Sequence, residues 1–275
     1  MDNTAQIDYW NGPAGQKWVR DAERLDAMLR PFAVAVMEAA RPQPGEVAAD
    51  IGCGAGALSL MLARAGAKVT GVDISAPLVE LARQRAGALG AAADFDLADA
   101  SVWKPAIPVQ LAVSRFGVMF FAEPAEAFRN IRAGMTAGGR LAFACWQPLS
   151  VNEWALLPLM AAAGFLKEMP APLPPGTPGP FAFADPGLVT QILSDSGWSG
   201  VRITPWEGLL ELPGGNAEET AGFMMEIGPL ARAMAEQGTD AAAVKAALVA
   251  RIRDLTRDTG RTLLKSAAWI VEARA

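Results

Sequence analysis

The chain has 275 residues, 52% of them hydrophobic and only 19% charged, with a formal net charge of −5. That length suffices for one sizeable core with an added cap, and the acidic balance argues against a general binder of phosphate backbones, whose affinity comes from Lys and Arg. Histidine is absent, which excludes an imidazole base, a His metal ligand and a Ser-His-Asp triad.

The opening Met1-Asp2-Asn3-Thr4 is polar and acidic, the opposite of a signal peptide. No apolar run reaches the roughly 18 residues that cross a bilayer, so a cytoplasmic protein is expected. About forty residues follow in which two helices are expected, split near Pro31. Short apolar runs then alternate with helical stretches. Val47–Ile51 reads as a strand, 56–65 as a helix and Lys68–Asp73 as a second strand. Ser75 is placed to cap a helix reaching Leu89, with Pro77 tolerated in its first turn. Strands are expected at 92–97, 110–115 and 140–146, with a helix at 124–134 between the last two. The proline-rich segment 170–180 fits neither a helix nor a central strand. A helix at 186–196, a strand at 201–206, a helical stretch at 217–258 and a strand at 267–273 complete the chain. The alternation implies right-handed crossovers and an α/β fold with a doubly wound, mostly parallel seven-stranded sheet.

Two cysteines, Cys53 and Cys145, stand in unrelated contexts that suggest neither a disulfide framework nor a zinc site, and no metal is expected. Cys145 reads as a buried residue.

The string Asp50-Ile51-Gly52-Cys53-Gly54-Ala55-Gly56 falls where the first strand turns into the first helix of this block. Glycines there let the chain reverse and let a ligand lie against bare peptide groups, with the free N–H donors of a helix start behind them. The second strand ends in Asp73, suited to the two hydroxyls of a ribose. A third acid, Asp99, follows the third strand, near where an adenine would project. Singly, each acid reads as a cap or a loop residue. Together, at the carboxyl ends of successive strands, they point to a nucleoside-containing ligand. The string also satisfies the loose dinucleotide pattern through Ala57, which keeps an NAD(P)-dependent oxidoreductase as a rival. Asp50 weighs against it, because a carboxylate repels a pyrophosphate and attracts a cation.

Asp50–Gly56, Val69–Asp73, Asp99-Ala100 and Gly138-Gly139-Arg140-Leu141 resemble the ordered motifs of class I S-adenosylmethionine-dependent methyltransferases. The segment 113–121 is similar to the fourth-strand region of the small-molecule branch that includes ubiquinone-biosynthesis C-methyltransferases. The resemblance implies a Rossmann-like core with S-adenosylmethionine as donor and S-adenosylhomocysteine as product. It implies that Gly52, Gly54 and Gly56 line the methionine moiety, Asp73 holds the ribose and Asp99 meets the adenine amino group; Asp50, Cys53, Ile74, Ala100, Ser114 and Arg115 complete the expected donor site. Gln110 departs from the family, many of whose members carry an acid there. The expected division is an N-terminal helical lid at 1–44, a donor-binding core at 45–146, a cap insertion at 147–184, and the rest of the sheet with a helical insertion at 185–275.

Methyl transfer is an in-line displacement to which a protein contributes alignment and a dry site. No catalytic base is assigned. Without histidine, an acceptor that arrives nucleophilic is favoured: an amine, a phenol-like hydroxyl or an activated carbon. Nucleic-acid acceptors are not expected, because Ser114-Arg115-Phe116-Gly117 lacks the Pro-Pro-Tyr string that grips a flipped base. A small-molecule acceptor pocket is expected from Tyr9, Trp10 and Trp18 of the lid, from Phe120, and from Trp146, Asn152 and Trp154 after the fifth strand. Packing of the cap is an equally good account of those aromatics. A donor-binding protein without transfer chemistry is the remaining alternative.

Overall fold

The computed structural model describes residues 3–171, 173–174, 176–256 and 260–275. In chain order the elements are α1 (Thr4–Asn11), α2 (Pro13–Arg20), α3 (Ala22–Ala40), β1 (Val47–Ile51), α4 (Ala57–Arg64), β2 (Lys68–Asp73), α5 (Ala76–Leu89), β3 (Ala93–Leu97) and β4 (Val109–Arg115). There follow α6 (Pro124–Ala133), β5 (Met135–Trp146), α7 (Glu153–Ala162), α8 (Pro186–Asp195), β6 (Ser199–Glu211), α9 (Ala217–Met224), α10 (Gly228–Gln237), α11 (Ala241–Thr256) and β7 (Leu263–Arg274). The strands form one seven-stranded sheet in the order β3-β2-β1-β4-β5-β7-β6. Neighbours from β3 to β5 run parallel, and β7 lies antiparallel to β5. The expected doubly wound, mostly parallel sheet is therefore what forms.

Chain order reverses between β1 and β4, the point at which sheets of this kind open a crevice beyond their carboxyl ends. β1 and β4 are almost wholly buried apolar strands, as central parallel strands must be. α3 packs on β4 and β5, while α4 and α5 pack toward β2 and β3. Phe32, Val36, Leu62, Leu111 and Phe143 have at most 1% of their surface exposed and mark the centre of this core.

The described residues of 1–146, 175–206 and 268–275 form one compact unit, and 147–174 with 207–267 form a second. In the second unit α11 packs on α9 and α7, and α10 packs on α7 and α9. This partition follows tertiary contact and not chain order; one of its limits, between 146 and 147, coincides with one of the three expected boundaries. Among the described residues no helix is long and apolar enough to cross a membrane.

Several local expectations are corrected. Pro31 does not split a helix: α3 runs through it for 19 residues, and the breaks come at Gly12 and Asp21. Leu25, Met28, Leu29, Phe32, Ala33 and Val36 recur at helical spacing and are all buried. That continuous stripe outweighs the one backbone hydrogen bond a proline removes. β5, β6 and β7 extend beyond the expected strands. Residues 217–256 of the expected helical stretch form three helices, interrupted where Gly228 (φ +67°) and Gly238 (φ +63°) take left-handed backbone. The last two residues of that stretch, Arg257 and Asp258, lie outside the described residues, as do Met1, Asp2, Pro172 and Pro175 from the opening and the proline-rich segment. Ser75 stands at the start of α5 but makes no side-chain cap. The amide of Ala76 is capped instead by Asn11 Oδ1 at 2.9 Å, from the end of α1.

Candidate functional site

The turn after β1 is built on a backbone-to-backbone contact. A Cβ on Gly52 (φ +66°) would lie 2.7 Å from Gly117 Cα, and one on Gly117 would lie 2.7 Å from the Ile51 carbonyl oxygen. Only glycine at both positions lets the β1 and β4 loops touch. Ser114 braces the same junction: buried, it donates from Oγ to Ile51 O at 2.7 Å and accepts the Gly117 N–H at 3.1 Å. Gly54, also left-handed (φ +53°), has open space where a Cβ would stand. Gly56 differs, since its Cβ position faces Phe95 and Ala82 at 3.0–3.1 Å, inside the core.

A cavity opens at this junction, lined by Asp50, Gly52, Cys53, Gly54 and Arg115 together with Trp18, Leu25 and Asp26. Asp50 is 1% exposed; its Oδ2 accepts the Ser59 hydroxyl at 2.6 Å, while its Oδ1 has no hydrogen-bond partner. Burial pushes the Asp50 carboxyl up to about 6, against the pull of the Ser59 hydroxyl and the Arg115 guanidinium. A buried carboxylate oxygen left bare is costly unless something cationic or donating meets it. Cys53 lies beside it with its thiol pushed up by burial, and the Cys145 thiol is raised by the same cause. Neither is poised as a nucleophile.

Arg115 is held by a partner that sequence reading missed. Asp26 on α3 accepts Arg115 Nη2 at 3.1 Å and Arg85 Nη1 at 2.8 Å, and Arg85 Nη1 also donates to Ala55 O at 3.1 Å. The network ties α3, α5 and the ends of β1 and β4 around the cavity. No motif announces Asp26.

Asp73 ends β2 half-buried, accepting Gly54 N–H on Oδ2 at 2.8 Å and Ser75 N–H on Oδ1 at 2.9 Å. Burial raises its carboxyl above the ordinary value, opposed by those backbone donors. Its contact with Gly54 puts it at the rim of the cavity. The Ile74 carbonyl accepts Asn11 Nδ2 at 2.9 Å. Asp99 accepts Asn3 Nδ2 on both oxygens at 2.9 Å and Ser101 N–H at 2.8 Å, while Ala100 is buried with its carbonyl turned to Asn130.

Of the expected acceptor residues, Trp10 makes edge contacts with Tyr9, Trp18 and Phe120 at centroid distances of 5.2–5.5 Å. Trp146 stacks on Phe116 at 4.1 Å, and Phe32 closes the group. Phe116 adopts φ +66°, strained for an aromatic residue, immediately after Arg115 ends β4. Asn152 and Trp154 have packing roles in the second unit. Asn152 is fully buried, its Nδ2 donating to Gln147 O and Ala267 O and its Oδ1 accepting Ala267 N–H at 3.0 Å. Trp154 packs its ring against Gly228. Gln110 is also structural, accepting Val47 N–H at 2.9 Å.

The site can receive a ligand that presents a cation to Asp50, lies along the bare backbone of 52–54, and offers hydroxyls to Asp73. The orphaned Asp50 oxygen and the open space over Gly54 fit an amino acid joined to a nucleoside.

A model of the methyltransferase domain matches residues 48–139. Nocamycin O-methyltransferase of Saccharothrix syringae is 30% identical over 243 residues, covering 83% of this chain and 84% of that protein. Ubiquinone biosynthesis O-methyltransferase of Coxiella burnetii is 27% identical over 198 residues, covering 72% and 79%. Among solved structures, magnesium protoporphyrin IX methyltransferase of Synechocystis PCC 6803, with bound SAM, covers 100% of this chain and 97% of its own at TM-score 0.53 and 17% identity, a likeness of fold.

Proposed function

The chain belongs to the class I S-adenosylmethionine-dependent methyltransferases, and from that premise we propose that it methylates a small-molecule acceptor by in-line displacement. The observation that carries the site assignment is Asp50, which lines the same cavity as Gly52, Gly54 and Arg115 and keeps its buried Oδ1 without a hydrogen-bond partner. Asp50 takes the donor's ammonium and Arg115 its carboxylate, two opposite charges matched to the two ends of an amino-acid group. Gly52 and Gly54 admit the chain of the methionine moiety against the backbone. The Asp73 carboxylate accepts from the ribose hydroxyls, and Asp99 serves the adenine amino group. Bound S-adenosylmethionine supplies a methyl group already activated on a sulfonium.

The residues of the chain then orient and exclude water, and no general base is needed for an acceptor that arrives nucleophilic. A phenol-like hydroxyl is the acceptor class favoured here. Two curated relatives are named as O-methyltransferases, and the aromatic side chains Trp10, Trp18 and Phe120 offer stacking surfaces beside the donor site. The dinucleotide alternative lacks support in the family, and a carboxylate at Asp50 opposes it.

The test is calorimetry with S-adenosylhomocysteine and NAD(P), followed by labelled methyl transfer across phenols, amines and activated carbons. Heat with the first ligand and label on phenols are expected. Binding with no transfer to any acceptor would favour the donor-binding alternative instead.

A further inference from the structure

Residues 3–11 lie across the carboxyl edge of the sheet, held by polar contacts at both ends and by the half-buried Trp10 ring against Trp18 and Phe120. α1 contributes no fully buried side chain. Asn3 at its start is only 7% exposed. Its Nδ2 straddles Asp99, 2.9 Å from each carboxylate oxygen, and its Oδ1 accepts the Ala122 N–H at 3.0 Å. At the other end Asn11 bonds Ile74 O and Ala76 N–H, each at 2.9 Å, and Ser75 Oγ donates to Trp10 O at 2.8 Å. The cavity beside Asp50 is not lined by Asp99; Asn3 covers that acid.

We infer that residues 3–11 form a self-occluding strap, in which the Asn3 carboxamide stands in for the adenine edge and must leave Asp99 before the methyl donor can seat. The inference rests on the donor site proposed above. A carboxamide presents an N–H donor and an acceptor side by side, the pattern offered by the amino group and adjacent ring nitrogen of adenine. Nδ2 sits midway between the two oxygens, the position an adenine amino group would need, and two such donors cannot share it. Release exposes no fully buried side chain of α1; its apolar cost is confined to the edge contacts of half-buried Trp10 with Trp18 and Phe120. Gly12, extended at φ −89° and ψ −156°, separates α1 from α2 and lets α1 move as a body.

The strap reverses the usual expectation for a covering segment: ligand should loosen it. Amide hydrogen exchange across 4–11 in the full-length protein is expected to speed up when S-adenosylhomocysteine is added. Asn3→Ala and Asn3→Asp should each bind S-adenosylhomocysteine more tightly, by about tenfold for the loss of one charge-assisted contact from the competing state. The aspartate variant should show the larger gain, since two facing carboxylates repel. Slower exchange in 4–11 on ligand addition, or unchanged or weaker binding by Asn3→Ala, overturns the strap. The exchange measurement on the wild type needs no variant to fold. Absence of heat with S-adenosylhomocysteine in wild type and variants alike overturns the donor site and the strap together, whereas binding insensitive to Asn3 overturns the strap alone.

Discussion

At Asp50 two demands compete: burial disfavours its charge, and the proposed ammonium partner requires it. Its carboxyl is raised to about 6 in the folded chain, so ionising it costs folding free energy. The stability this group contributes is complete below the ordinary carboxylate range and is lost as pH rises through about 6. Asp50→Asn should therefore gain on wild type in urea midpoint as pH is raised from about 4 to about 7. Ligand affinity runs the other way. S-adenosylhomocysteine binding by wild type should weaken below about pH 6, approaching about tenfold per pH unit, and the same Asp50→Asn change should flatten that dependence. For Asp73, Asp73→Asn should weaken the same ligand by about ten- to a hundredfold, from the loss of charge-assisted bonds to the ribose. Calorimetry on the folded variant checks it, and unchanged affinity would remove the ribose assignment. These residues were legible because each is local: Asp50 to Gly54 are nearly consecutive, and Asp73 ends an obvious apolar strand. Asp26 was not, because its partners stand 59 and 89 residues away and only the fold brings them to it. Asn3 and Asn11 were hidden for the same reason, since the partners that tie them to the sheet edge stand 63 to 119 residues away.

Among the elements, α3 shows how far packing overrides a local signal. Pro31 stands inside it, where it offers no amide to the preceding turn. Pro31→Ala should restore that hydrogen bond and raise stability by roughly 1–3 kcal/mol, the cost of an interior proline reduced by whatever relaxation the helix has already made. A shift of the urea midpoint to higher concentration at constant slope is the expected result. The strands and helices of the block 47–146 were legible from alternation alone, since buried parallel strands must be short, apolar and separated by amphipathic helices. The extra lengths of β5, β6 and β7 were not. Runs such as Met135-Thr136-Ala137-Gly138-Gly139 and Glu207-Gly208 carry no strand pattern of their own, and pairing with a neighbour supplies the order. The interruptions of 217–258 were written at Gly228 and Gly238, yet a glycine within a helical pattern does not by itself say whether it ends the helix.

For the molecule as a whole, the proposed donor residues all belong to one compact unit, built from 1–146, 175–206 and 268–275. Saturating S-adenosylhomocysteine, at about a hundred times its dissociation constant, should stabilise the binding-competent state by about 2.7 kcal/mol. Hydrogen exchange should register the added protection in peptides covering 50–56 and 72–75, with the helices between 217 and 256 unchanged. Protection appearing first in those helices would point to a different binding site. The contact between Gly52 and Gly117 carries a further consequence for anyone seeking to alter this catalyst. The two loops are yoked at a point where neither tolerates a methyl group, so a change that displaces one must be answered in the other. Randomising them one at a time should yield mostly inactive clones, and useful variety will come from libraries that vary both together or leave both alone and diversify the aromatic wall.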